Sequence, residues 1–392
     1  MDLGPIGLAR HAVARLVGRG RRRAEADVAL RKALARFAGH RPRALDLRFG
    51  GEPVEQILRQ SIVVSPRGQL DVASRMSELR ATVPERIVEW LERRAYLLDI
   101  PVVHGPTGLV LHGGRHVVQS GPANMSYLKH FAADNFVAEE LWIAERFGAT
   151  RKVTGPVHHT GPVPTTYFGW LLYILPKVLA ARRLCPDVTV IVPDPPRYAR
   201  ESLDAYGVRY LVTSESVSAD GVVVVDDQTV GWPHPQDLEE MRQALSGFSD
   251  ATDPHINRRG LYISRSGSSR SLRNESLLEK ELEGRGFAIF RPESLATWRD
   301  QAELFAASDL VIGPHGAGFS NLVFSPEGTR VIELLPPALN QEGTPGQTGN
   351  FARLAMVRGF EYRSIDLVVA SAAPFGDAEP ALRHILDVID SV

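Results

Sequence analysis

The most constraining stretch of the chain is Val311-Ile-Gly-Pro-His-Gly-Ala-Gly-Phe-Ser-Asn-Leu-Val-Phe-Ser-Pro-Glu-Gly-Thr-Arg-Val-Ile-Glu-Leu334. Leu310 to Ile312 is a short apolar run of the kind a buried parallel strand shows, and Gly313 and Pro314 end it. Gly316 and Gly318 then allow backbone to approach a partner closely. A helix beginning near Ala317 points free N–H groups and a positive dipole end at the same spot. Pro326 and Gly328 break that helix, and Arg330-Val-Ile-Glu-Leu334 re-enters the sheet, with Glu333 near a carboxyl end, where open α/β sheets hold ligands. The stretch predicts strand, anion-binding turn, helix and strand.

Around it, apolar runs alternate with helical patterns. Upstream, strands are expected at 188–192, 210–213 and 222–226, with helices at 165–179, 197–206 and 234–248; downstream, strands at 261–264, 287–290 and 362–367 and helices at 274–283, 297–307 and 349–358. Thr165 or Thr166 suits the first N-cap, Pro176 should kink that helix, and Asn274 suits another N-cap. The pattern predicts an α/β chain with two Rossmann-like, doubly wound domains facing a cleft. At 392 residues the chain is long enough for two cores. The expected division is a basic helical arm over 1–45, an N-terminal α/β domain over 46–250, a C-terminal Rossmann-like domain over 251–375, and a C-terminal helix over 376–392 crossing back onto the first domain. Residues 85–98 carry apolar positions at helical spacing, 108–119 read as a hairpin around Gly113-Gly114, and 157–164 read as a loop punctuated by Pro and Gly.

A formal net charge of −1 argues against a nucleic-acid binder, and the single Cys185 excludes an internal disulfide and a cysteine-rich metal site. His104, His112 and His116 lack ligand-spaced companions and receive no role. With neither a membrane-spanning run nor a signal-like start, a cytoplasmic location is expected. The Arg-rich residues 1–43 leave two readings open, a peripheral contact with anionic membrane on the inner face of the plasma membrane or a solvated arm. In the second domain Arg265, Arg273 in its loop with Arg270, and the Gly316-Ala317-Gly318 turn all suit a diphosphate. Glu333 suits ribose hydroxyls, although Arg265 and Arg273 pairing with Glu275 or Glu279 is the competing reading.

The series Arg265, Arg273-Asn274-Glu275, Gly286-Phe287, Gln301, Gly313-Pro-His-Gly-Ala-Gly-Phe-Ser-Asn321, Phe324, Gly328 and Val331-Ile-Glu-Leu334 resembles glycosyltransferase family 61, including its bacterial capsular-polysaccharide members. A looser similarity runs through Tyr167-Phe-Gly-Trp-Leu-Leu-Tyr-Ile-Leu-Pro-Lys177. The resemblance implies a GT-B fold and an inverting glycosyltransferase of surface polysaccharide biosynthesis, moving a sugar from a nucleotide-diphosphate donor to a glycan acceptor. It implies no cofactor and no metal. No Asp-x-Asp pair stands in a plausible metal loop, and Asp226-Asp227 follows an acceptor-side strand. Arg265, Arg273, Asn274, His315, Gly316, Ala317, Gly318, Asn321 and Glu333 form the donor set so implied. Where the family pattern places His before Trp, this chain has Gly169. The acceptor base must then come from elsewhere, and His158 and His159 just upstream are the candidates, with His315 better suited to the donor. Two alternatives stay open: a polysaccharide-modifying transferase with a non-sugar donor, and a non-catalytic subunit that binds a polysaccharide or a partner enzyme.

Overall fold

A computed structural model describes residues 151–161, 166–225, 233–246, 260–268, 271–292, 297–336, 349–367 and 378–391, together with short strands and single positions between 58 and 117. The basic arm, Arg270, Asp226-Asp227 and the expected linker near 250 lie outside the described residues.

The chain is α/β, and the two largest sheets among the described residues are one mixed and one parallel. The first contains β1 (Leu58–Ser65), β2 (Arg93–Leu98), β3 (Pro156–His159), β4 (Thr189–Val192), β5 (Tyr210–Val212) and β6 (Gly221–Val225), in the order β1-β2-β6-β3-β4-β5. β6, β3, β4 and β5 are parallel, while β1 and β2 join antiparallel at one edge. Two expectations fail here. The helix expected over 85–98 is instead the strand Ile87–Trp90 followed by β2. Apolar spacing in so short a run is ambiguous, and pairing with β1 and β6 decides it for strand. The expected loop around His158 and His159 is β3, a central strand, because Val157 and its neighbours are paired on both sides. The hairpin does form, through Leu111–His112 and His116–Val117.

The second sheet is wholly parallel: β7 (Gly260–Ile263), β8 (Phe287–Phe290), β9 (Leu310–Pro314), β10 (Arg330–Leu335) and β11 (Glu361–Asp366), in the order β8-β7-β9-β10-β11. β7 and β9 are buried at every position, as strands covered on both faces must be. The order reverses between β7 and β9, so their carboxyl ends flank the crevice at which such sheets hold ligands.

The helices follow the expected spans closely. α1 runs as Tyr167–Gly169, a π-helical turn Trp170–Ile174, and Leu175–Leu184. Thr166 caps it, accepting from the Gly169 N–H at 3.2 Å. Pro176 lacks an N–H and its ring crowds the carbonyl four residues back. The helix widens ahead of it, with the Leu175 N–H bonding Trp170 five residues earlier. α2 (Arg197–Ala205) and α3 (Pro235–Ser246) belong to the first half; α4 (Glu275–Gly284), α5 (Trp298–Ala306), α6 (Asn350–Arg358) and α7 (Ala378–Asp390) belong to the second. Thr297 and Asp300 form a reciprocal capping box at α5. Asn274 does not cap α4: it takes a left-handed conformation with φ of 56° and sends its side-chain amide to Glu379. Among the described residues α7 packs within the second half. Its Ala378, Ala381, Ile385 and Ile389 share a buried cluster with Leu278 and Leu282 of α4 and Ile365 of β11, and Arg285 bonds Asp390 at 2.9 Å.

One buried cluster continues from Trp170, Leu175 and Leu203 in the first half to Trp298, Phe305, Phe319 and Phe324 in the second. Trp298 lies at its seam. Its ring meets Tyr206 at 5.8 Å and Phe324 at 5.4 Å, its backbone N–H donates to Glu201 at 2.8 Å, and its indole N–H donates to the Tyr167 hydroxyl at 2.9 Å. Trp298→Ala should therefore cost about 3–5 kcal/mol, read as a lowered midpoint in urea denaturation; a loss near zero would show that the seam is not packed this way.

Candidate functional site

The site begins with register. In β10, Glu333 lies beside Gly313 of β9 on one side and Ser364 of β11 on the other, and Val331 beside Tyr362. Residues two apart on a strand share a face, so Tyr362 and Glu333 meet diagonally across the ladder. The Tyr362 hydroxyl donates to Glu333 Oε2. Beyond the end of β9, the His315 N–H continues the ladder to the Leu334 carbonyl at 2.9 Å, which turns its ring back over β10. His315 Nδ1 then donates to Glu333 Oε1 at 2.5 Å. Glu333 is 0% exposed and His315 9%. Burial, with the Glu333 carboxylate alongside, pushes the Tyr362 hydroxyl well above its usual range, so Tyr362 stays protonated and donates to the carboxylate. Phe351 of α6 covers the imidazole at 5.3 Å and is itself flanked by Phe168 and Phe319. Among the described residues His315 Nε2 has no hydrogen-bond partner.

Across the crevice, Arg265 follows β7. Its Nη1 donates to the His315 carbonyl at 2.6 Å. Gly316 is extended, so its backbone does not require glycine, but a Cβ there would overlap the Arg265 guanidinium. Close approach is what this glycine provides. Two buried carboxylates lie near Arg265, and the bonds seen at them hold its loop. Glu275 accepts the Arg265 backbone N–H at 2.7 Å, the Leu272 N–H at 3.2 Å and the Tyr262 hydroxyl at 3.1 Å. Burial outweighs these bonds and raises its carboxyl above the ordinary range. Burial would raise Glu279 too, yet Ser264, Ser266 and Arg291 all donate to it and hold it below that range. Both carboxylates brace the loop that carries Arg265.

The segment after Gly316 is not an α-helix but a 3₁₀ helix, Ala317–Phe324. Eight residues is long for that form. Asn321 Nδ2 bonds the Gly318 carbonyl at 3.3 Å, occupying an acceptor that an α-helix would use, and the glycines at 316 and 318 weaken the α alternative. Its first N–H groups still lack helical acceptors. Asn321 itself is 0% exposed and accepts from the Tyr167 hydroxyl at 2.5 Å, so it ties the two halves together.

The structure thus gathers Arg265, His315, Gly316, Ala317 and Gly318 at one turn, with Glu333 beneath His315. Glu333, expected at a ribose, is fully buried here and each of its oxygens has a protein donor. The bonds seen at Arg273 and Asn274 lead to α7 instead, through the Arg273 carbonyl to Ala378 at 3.0 Å and Asn274 to Glu379 at 3.0 Å. His158 and His159 lie on β3 in the other sheet. His158 Nδ1 donates to the Val223 carbonyl at 2.9 Å, and burial pushes the ring down to about 4. His159 has both nitrogens engaged, Nε2 donating to the Gly105 carbonyl at 2.7 Å and Nδ1 accepting from the Gly161 N–H at 2.9 Å. As they stand, both His159 nitrogens are engaged, and burial leaves His158 a weak base. Tyr362 and Phe351 had no signal in the chain alone; only knowing that β11 pairs with β10 would have placed Tyr362 beside Glu333.

The parallel sheet brings the Arg265 guanidinium and the start of the 3₁₀ helix to its reversal point, an arrangement whose chemistry suits an anion. Residues 164–332 match the family model for Glycosyltransferase 61. The matched stretch begins just before α1 and ends within β10, so it contains Arg265, His315 and Gly316. No curated protein matches the chain.

Two outcomes follow. Gly316→Ala should displace the Arg265 guanidinium and weaken pyrophosphate binding roughly tenfold with little loss of stability, as titration calorimetry beside thermal unfolding would show. Because the His158 ring titrates at about 4 when folded and near 6.5 when unfolded, the unfolded state takes up the proton first as pH falls. Its stabilising contribution is complete above about 6.5 and lost down to about 4, roughly 3 kcal/mol in all. Urea midpoints at about pH 7.5 and pH 5 should differ less in His158→Gln than in the parent chain.

Proposed function

We propose that the chain is an inverting glycosyltransferase that moves a sugar from a nucleotide-diphosphate donor to a glycan acceptor, as a step of surface polysaccharide biosynthesis. The observation that carries this reading is the convergence of the Arg265 guanidinium, the close-approach glycine Gly316 and the start of the 3₁₀ helix at the sheet's reversal point, inside the region that matches Glycosyltransferase 61. The family match supports glycosyltransferase activity, and a glycosyltransferase of this kind uses a nucleotide-sugar and a glycan. In the proposed reaction the acceptor hydroxyl attacks the sugar carbon bonded to the diphosphate and gives up its proton to solvent. The carbon–oxygen bond to the leaving group breaks, and Arg265 with the free N–H groups stabilises the charge that develops on the diphosphate. No bound metal is assigned a step. The two sheets correspond in this reading to the halves of a GT-B fold, the second holding the donor. We place the protein in the cytoplasm, its basic N-terminus touching the membrane surface.

A non-catalytic, polysaccharide-binding role is the second reading, favoured by Gly169 and by the engaged nitrogens of His159.

Incubating the purified chain with UDP-, GDP- and CMP-sugars, and following binding by calorimetry and nucleotide release by chromatography, separates these. Binding of at least one donor is expected, weakened at least tenfold in Arg265→Ala as a charge-assisted contact is lost. Binding of none would sink the donor-site reading. Turnover that survives in the His158→Ala/His159→Ala double variant would remove both rings from the base role.

A further inference from the structure

The His315 ring is held in a way that leaves it one way to bind a phosphate oxygen. Nδ1 keeps its hydrogen because it faces Glu333 Oε1, an acceptor at 2.5 Å. The carboxylate cannot turn to offer anything else, since Tyr362 donates to its other oxygen and it is 0% exposed. The hydrogen of a neutral ring is therefore on Nδ1, and Nε2 carries a lone pair. A lone pair facing a phosphate oxygen is repelled. Only when the ring gains a second hydrogen does Nε2 become a donor.

The surroundings bear on when that happens. From β10 the ring meets Glu333; from β11, behind it, Tyr362; from α6, the apolar face of Phe351; and from the β7–α4 loop, the Arg265 guanidinium on its own carbonyl. A diphosphate at this turn would add negative charge that favours a second hydrogen on the ring, with buried Glu333 beneath it.

We infer that binding of a diphosphate at this turn is coupled to uptake of a proton by His315, Nε2–H donating to a phosphate oxygen while Glu333 and Tyr362 act as positioning residues that fix the ring. The inference deepens the donor-site reading and rests on it. The proton comes from the buffer and returns to it when the diphosphate leaves, so the last step of a transfer, release of the nucleoside diphosphate, also releases a proton.

The test is titration calorimetry of inorganic pyrophosphate and of UDP into the full chain near neutral pH, in buffers of different ionisation enthalpy. The expected result is a binding enthalpy that varies linearly with buffer enthalpy, with a slope of up to about one proton taken up per ligand beyond that of the ligand itself. In His315→Gln the protein's share of that slope should vanish while weaker binding persists. In Tyr362→Phe, which keeps the ring in place, the slope should shrink, and nitrogen-15 shifts of His315 should show its Nδ1–H form less fully populated than in the parent. Measurable binding with buffer-independent heat beyond the ligand's own contribution, or a slope unchanged in His315→Gln, overturns the inference and leaves the donor site standing. Absence of binding by every nucleotide and by pyrophosphate overturns both.

Discussion

A carboxylate in the middle of a parallel sheet is an expensive thing to fold around, and much of the second half is arranged to hold one. Glu333 has no exposure, and an unpaired charge at that depth costs several kcal/mol. Its two partners come from opposite directions, Tyr362 from the next strand and His315 from beyond the end of the previous one. The His315 ring reaches it only because the backbone N–H of the same residue extends the ladder to Leu334. That bond sets where the chain leaves the sheet, hence where Gly316 falls and where Arg265 meets the His315 carbonyl. A single satisfied charge thereby determines the geometry of the whole turn.

Much of the architecture was readable from the chain. Phe287–Phe290 and the helices after Thr297 and Gly349 have apolar periods and caps strong enough to mark them, and tertiary structure agrees with the local preference. The misreadings share a cause. Residues 93–98 and 156–159 are short, and what makes them strands is pairing with β1, β6 and β4, which no local pattern contains. Pro156 and Gly161 bracket β3 so closely that the run resembles a loop. Asn274 has the residue type of an N-cap but the φ of a left-handed turn, set by its contact with Glu379 more than a hundred positions away in the chain.

For the candidate site the boundary is equally physical. Arg265 and the glycine turn announce themselves because their chemistry needs those residue types next to a strand end. Glu333 was noticed for the right position and assigned the wrong neighbour, since exposure depends on what α6 and β11 lay over it. The histidines of β3 looked available because side-chain commitments to Val223, Gly105 and Gly161 are invisible until the fold brings those carbonyls and N–H groups to them.

The buried cluster that runs unbroken from α1 to the 3₁₀ helix also bears on how the molecule comes apart. Two lobes with separate cores can melt in turn; lobes that share Trp298, Tyr206 and Phe324 expose each other's apolar surface when either opens, at about 1.5–3 kcal/mol for each such side chain. Unfolding is then a collective event across the described core. Any gate for a ligand has to be made from loops and side chains at the rim rather than from the halves swinging apart.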